Sequence, residues 1–178
     1  MRLIHVIGLT AVAASMATVF MGAGAVQQKM DREGIRNFTK VDAVVACGGA
    51  TETSALEGLK RDGYRAVINL REASEPGANI EENRRRAAEL GLKYIHIPFG
   101  APNAQVFDRF LATVADTSNH PVYIHCASAN RVGAVWLAKR VLQDGWPVEK
   151  ATEEAHLIGL SNPALEKFAL EYIAAHKQ

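Results

Sequence analysis

The chain has 178 residues, with 48% hydrophobic side chains and 20 Lys or Arg set against 19 Asp or Glu. That length fits a single domain with enough chain to bury a real core. The near-neutral balance gives no support for nucleic acid or a bulk anionic membrane as partner, since both recruit strongly basic surfaces.

Residues 1–25 read as a secretory signal peptide. Arg2 is followed by an apolar run from Leu3 to Met21, and the small triplet Ala23-Gly24-Ala25 precedes Val26. A positive start, an apolar middle and a small-residue end are the features that export machinery cleaves. An uncleaved membrane anchor is the competing reading. Cleavage removes Arg2 and no acid, so the expected mature domain, residues 26–178, carries 19 basic and 19 acidic side chains. That domain is expected in the periplasm or outside the cell, free of the membrane. It keeps two cysteines, Cys47 and Cys126. An oxidising compartment favours disulfides, but a permanent bridge would silence the nucleophile argued for below; reversible oxidation stays open.

Residues 26–42 are mostly polar and read as an irregular lead-in. Val44–Cys47 is a short strand candidate closed by Gly48-Gly49. Thr53 or Ser54 caps a helix running to about Asp62, and Gly63 stops it. Ala66–Leu70 is a buried-strand run, followed by a polar loop from Glu72 to Asn79. A helix over Ile80–Leu90 carries Arg84-Arg85-Arg86. Successive helical side chains point about 100° apart, and Glu81, Glu82 and Glu89 lie among them, so the triplet is a solvated face.

Tyr94–Ile97 is the next strand, followed by the loop Pro98–Asn103 and a helix over Ala104–Ala115. A strand at Val122–His125 leads through a short turn into a helix from Arg131 to Asp144. Helices near Val148–Ile158 and Pro163–Ala175 close the chain. Strands separated by helices predict a single α/β domain with a mainly parallel central sheet flanked by helices. Sites of such sheets lie beyond the carboxyl ends of the strands.

The segment Pro121–Gly133, which reads Pro-Val-Tyr-Ile-His-Cys-Ala-Ser-Ala-Asn-Arg-Val-Gly, carries the chemistry. Val122, Tyr123 and Ile124 are β-formers, and Cys126 stands where their strand becomes a turn. Crossing from strand to helix in so few residues curls the backbone, so the N–H groups of Ala127, Ser128, Ala129 and Asn130 converge with the positive end of the following helix. The result is an anion site. The same field favours a thiolate at Cys126. Arg131 returns from the first helical turn and can hold an oxyanion with two parallel hydrogen bonds.

This constellation resembles the cysteine-based phosphatase superfamily, and within it the bacterial dual-specificity-phosphatase-like domains also found attached to beta-lactamase-like hydrolases. Three segments carry the likeness: Cys47-Gly48-Gly49-Ala50-Thr51, Ala66–Arg71, and His125–Ala134. The resemblance implies that Cys126 attacks phosphorus and that Arg131 clamps the phosphate. Ala127 to Asn130 cradle it through their backbones, and His125 tunes the thiolate. It implies a phosphorylated substrate, small molecule or phosphoprotein, a phosphocysteine intermediate, and no metal or other cofactor.

The chain departs from the pattern at four points. Four residues separate Cys126 from Arg131, where most of the superfamily has five. Ala129 stands where the bacterial branch has glycine, so a left-handed turn there would cost about 1 kcal/mol. Val132 replaces a Ser or Thr hydroxyl that helps expel the thiolate. The loop Pro98–Asn103 lacks the aspartate that protonates the leaving group; the nearest acid, Asp108, reads as an exposed first-turn helix residue. Losing an acid catalyst costs roughly 10²–10⁴-fold for poor leaving groups.

The remaining candidates are weaker. His96 reads as a core or rim residue and His120 as a loop residue. His156 has no partners at metal-ligand spacing. Trp136 and Trp146 read as packing residues, and Glu153 and Glu154 as solvent-facing. Arg71 ends a strand on the side where Cys126 should lie, so it is a candidate for supporting anion binding. The predicted function is a cysteine-dependent phosphatase-like hydrolase. Its rivals are a rhodanese-type sulfurtransferase with a persulfide on Cys126, and a weakly catalytic phosphate- or phosphoprotein-binding module.

Overall fold

The strand that leads into the cysteine runs through the middle of the sheet. The computed structural model describes residues 27–177; the expected signal peptide lies outside them. In chain order the strands are β1 (Gln28–Lys29), β2 (Thr39–Lys40), β3 (Val45–Gly48), β4 (Ala66–Asn69), β5 (Lys93–His96) and β6 (Val122–His125). They lie side by side in the order β1-β2-β3-β6-β4-β5. β3, β6, β4 and β5 are parallel, with β5 at one edge of the sheet, and β1 and β2 add an antiparallel pair at the other.

Among the described residues six helices flank the sheet: α1 (Ala55–Arg61), α2 (Ile80–Glu89), α3 (Ala104–Ala115), α4 (Asn130–Leu142), α5 (Val148–Ile158) and α6 (Pro163–His176). The two-residue period of the strands sorts their side chains between two cores. Ala46, Val67 and Tyr123 pack with Leu56, Leu59 and Ala87 under α1 and α2. Val45, Cys47, Ile68 and Ile124 pack with Phe107, Val135 and Trp136 under the other helices. Helices on both faces are what a parallel sheet requires, and they explain why its strands are apolar on both sides.

α4 is the axis of the second layer. Its residues from Val132 to Ala138 are all buried, because α3, α5 and α6 surround it. A helix apolar around its whole girth is a core helix. Arg140 is buried there with its charge compensated: its Nε donates to Glu154 at 2.5 Å, and its guanidinium lies over the rings of Trp136 and Trp146. Glu154 is thus buried, accepting also from Trp136 Nε1 at 2.8 Å, and is not the solvent-facing side chain the sequence suggests. The expected irregular lead-in also contains structure. β1 and β2 form because β3 offers an edge: Thr39 pairs with Cys47 and Lys40 with Ala46. Among the described residues, no helix is long and apolar enough to cross a membrane.

Candidate active site

β3, β4, β5 and β6 all point their carboxyl ends at one place. There the chain from Cys126 to Asn130 curls into a cradle with its carbonyls turned outward. Ala127 O accepts from Ala50 N at 2.9 Å, Ser128 O from Asn37 Nδ2 at 3.2 Å, and Ala129 O from Gly133 N at 2.9 Å. The N–H groups of Ala127, Ser128 and Ala129 have no acceptor among the described residues. Those of Asn130 and Arg131 belong to the first turn of α4, which has no intrahelical acceptor to offer. Outward carbonyls and inward amides make an anion nest at a helix N-terminus.

Small residues let the surroundings close on this turn. A Cβ on Gly49 would meet Ala127 O at 3.1 Å and Ser128 Cα at 3.3 Å, and one on Gly159 would meet the Ala129 methyl at 2.9 Å. Ala129 itself is left-handed, φ +73°, the conformation that the resemblance implied for this position. The Asn130 side chain faces away from the nest. Its Oδ1 accepts from Ser161 N at 2.7 Å and Asn162 N at 2.8 Å, tying the cradle to the loop between α5 and α6.

Cys126 lies at the floor of the cradle with 0% exposure, so a substrate must enter the nest to reach it. Both cysteines are free thiols. Burial pushes the Cys47 thiol well up, and Glu154 and Asp42 push it further, so Cys47 stays protonated and is a poor nucleophile. His125 is buried against Tyr123, ring to ring at 5.6 Å, and its Nδ1 has no partner among the described residues. Burial, with the charges of Arg71 and Arg131, pulls its pKa down to about 4, so it stands beside the cysteine as neutral imidazole.

Arg131 is fixed along one edge. Nη1 donates to Glu75 Oε1 at 2.6 Å and to Phe99 O at 2.7 Å, with Leu70 O at 3.3 Å, and Nη2 donates to Glu75 Oε2 at 2.9 Å. A guanidinium has five N–H donors. Its Nε–H and second Nη2–H have no hydrogen-bond partner among the described residues, and Cys126 is near enough to help raise the pKa of the guanidinium. Burial lowers the pKa of Arg131, but Glu75 and Cys126 outweigh that and raise it. The hydrogen bonds from Arg131 hold Glu75 ionised, its pKa down to about 2.

Glu75 is the residue that sequence reasoning missed. It sits in a Pro-Gly loop that reads only as polar, and its one signal is the need of a buried arginine for a counter-ion. Arg71 is brought to the site but points into that same loop. It donates to Glu75 Oε2 at 3.2 Å, Pro76 O at 2.6 Å and Gly77 O at 2.8 Å. It therefore reaches the cradle through Glu75 and shapes the loop. Asp108 accepts from the Tyr172 hydroxyl on α6, which leaves it structural. His96 Nε2 donates to Arg71 O at 2.7 Å. Among the described residues no group of three or more His, Cys, Asp or Glu could hold a metal ion. A cleft of about 580 Å³, lined by Arg36, Thr51, Arg71 and Pro76 among others, opens beside the turn of Gly49 and Ala50 that braces the cradle.

A central parallel sheet with a cysteine-to-arginine nest at its carboxyl end defines a domain of the cysteine-phosphatase type. The chain belongs to the family of DSP-PTPase phosphatases fused to NAD+ kinase, which matches residues 16–170. A beta-lactamase hydrolase-like protein of Xylella fastidiosa is 28% identical over 105 residues, covering 55% of this chain and 23% of that protein. The chain thus spans less than a quarter of that relative's length. Among solved structures, a DUF442 protein of Shewanella putrefaciens CN-32 superposes with a TM-score of 0.71 at 21% identity, covering 82% of this chain and 96% of that one. TpbA of P. aeruginosa, solved in complex with pTyr, superposes with a TM-score of 0.65 at 16% identity, covering 88% and 93%. Likenesses at these identities establish the fold.

Proposed function

We propose that this chain hydrolyses phosphate monoesters through a phosphocysteine on Cys126, with aryl phosphates such as phosphotyrosine as the substrate class. The observation that carries this reading is the half-used guanidinium of Arg131. Glu75 and Phe99 O hold one edge, and the Nε edge is left with two parallel donors that have no partner among the described residues. That fork matches two oxygens of a phosphoryl group. The inward amides of Ala127 to Asn130 take the remaining charge, which grows at the equatorial oxygens in the transition state. Family membership and a relative solved with pTyr support the same class. His125 and Arg71 act in support, the first as a neutral neighbour of the nucleophile and the second by holding Glu75.

The test is turnover and binding in paired variants. Cys126→Ser should abolish hydrolysis of p-nitrophenyl phosphate while vanadate still binds, because the nest and Arg131 remain. Arg131→Lys should weaken both, since an ammonium cannot present two parallel donors. Hydrolysis at the wild-type rate in Cys126→Ser would overturn the covalent mechanism.

The short cysteine-to-arginine spacing favours one rival, a persulfide carrier. Cyanide-dependent thiocyanate release from thiosulfate, faster than phosphate release, would establish it instead. Export belongs to the same proposal: residues 1–25 are cleaved, and the protein recovered from the cell envelope should begin at Val26. Recovery of the intact amino terminus would favour an anchor.

A further inference from the structure

The proposed hydrolysis needs a proton donor for the leaving oxygen, and the loop where one is expected, Pro98–Asn103, holds no carboxylate. Asp108 is occupied by Tyr172. Glu75 is occupied on both oxygens: Oε1 accepts from Arg131 and from Glu72 N, and Oε2 accepts from Arg131 and Arg71. His96 has its Nε2 committed to Arg71 O. One acidic side chain in this neighbourhood is left over.

That side chain is Glu72. Its backbone is fixed, because its N–H donates to Glu75 Oε1 at 2.8 Å and the preceding Arg71 is buried and donates to Glu75, Pro76 O and Gly77 O. Its carboxyl is half-buried and has no hydrogen-bond or ion-pair partner among the described residues. It lies against Gly100, where a Cβ would come within 3.1 Å of Glu72 Oε1 and 3.4 Å of Cδ. Gly100 directly follows Phe99, whose carbonyl anchors Arg131 at 2.7 Å. The carboxyl therefore sits over the end of the sheet that carries the cradle, on the very loop that lacks an acid of its own. Glycine at position 100 is what leaves room for it.

We propose that Glu72, reaching across from the loop after β4, is the general acid and base of the reaction at Cys126; this rests on the phosphatase reading above. In the first step the Cys126 thiolate forms an S–P bond as the ester P–O bond breaks. The proton of the Glu72 carboxyl passes to the departing oxygen, which leaves as the alcohol or phenol. In the second step the Glu72 carboxylate takes a proton from water as that water attacks phosphorus. The P–S bond breaks, the thiolate is restored, and inorganic phosphate carries the new oxygen.

A general acid matters in proportion to how poor the leaving group is, and this separates a catalytic role from a structural one. The mature protein and its Glu72→Gln form would be assayed on nitrophenyl, phenyl and alkyl phosphates. The expected loss on nitrophenyl phosphate is about tenfold or less, against roughly 10²–10⁴-fold on the alkyl ester, with a steeper dependence on leaving-group basicity. Glu72→Asp should recover part of the alkyl activity. Gly100→Ala, which displaces the carboxyl, should lose alkyl turnover preferentially. Equal loss across the series, no loss in Glu72→Gln, or a wild-type enzyme already unable to cleave the alkyl ester would each overturn the assignment while leaving the nucleophile in place. A wild-type protein inactive on every phosphate ester would instead overturn the phosphatase reading, and this inference with it.

Discussion

Ala129 holds a left-handed φ of +73° in the tightest part of the cradle. For a residue with a Cβ that conformation costs about 1–2 kcal/mol, so glycine looks like the better choice. Two effects oppose it. The Ala129 methyl is fully buried, and burying one such carbon contributes about 0.8 kcal/mol. Glycine also gives up more chain entropy on folding, about 0.5–1 kcal/mol. The three terms nearly cancel, which explains how alanine survives there. Ala129→Gly is accordingly expected to leave stability unchanged within about 1 kcal/mol in urea denaturation. Ala129→Val should cost more than about 2 kcal/mol, since a β-branched residue is a true outlier at this φ and Gly159 presses on the existing methyl. Valine tolerated at no cost would show that the turn is not held left-handed.

The cradle is rigid because an element behind it is. α4 meets the end of α5 so closely that a Cβ on Gly133 would lie 2.7 Å from Leu160 Cβ and 2.8 Å from Ala155 O. One turn earlier, Asn130 accepts from two backbone amides of the next loop. Gly133→Ala should therefore cost about 1–3 kcal/mol by overpacking, and Asn130→Ala about 1–2 kcal/mol through lost hydrogen bonds. Both act on residues 159–162, so the double variant should lose less than the sum; strict additivity in urea titrations would show that the loop does not couple them. Local pattern makes some of this legible. α3, α5 and β6 begin and end where turn residues and apolar spacing put them, and α4 starts one residue before Arg131. The β1–β2 hairpin was not legible, because Gln28, Lys29, Thr39 and Lys40 have no strand pattern of their own and pair only because β3 supplies an edge. Glu75 and Glu154 escaped for the same reason. Each is defined by an arginine far away in sequence or on another helix, and no local spacing records that meeting.

Across the whole molecule, acid and base counts nearly balance, so no large net-charge repulsion obscures the titration of individual groups near neutral pH. Two of them set how stability answers to acid. His125 has a folded pKa of about 4 against an ordinary value of 6.5. Below 6.5 the unfolded chain takes up a proton that the folded one refuses, so this histidine costs stability progressively as pH falls from about 6.5 to about 4, and no further below that. The span corresponds to a cost on the order of 3 kcal/mol. Glu75 acts in a lower window. Its folded pKa is about 2 against 4.5, so the stability contributed by its pairing with Arg131 is present above 4.5 and is lost as pH falls towards 2. Urea denaturation of the wild type, His125→Gln and Glu75→Gln at pH 7, 4 and 2.5 separates the windows. Relative to wild type, His125→Gln should gain on the order of 3 kcal/mol between pH 7 and pH 4 and then run parallel. Glu75→Gln should run parallel to wild type from pH 7 to about 5 and close its deficit only below that. A His125→Gln curve parallel to wild type through the upper window would mean that the imidazole takes up its proton in the folded state, and that the cysteine stands beside a cation.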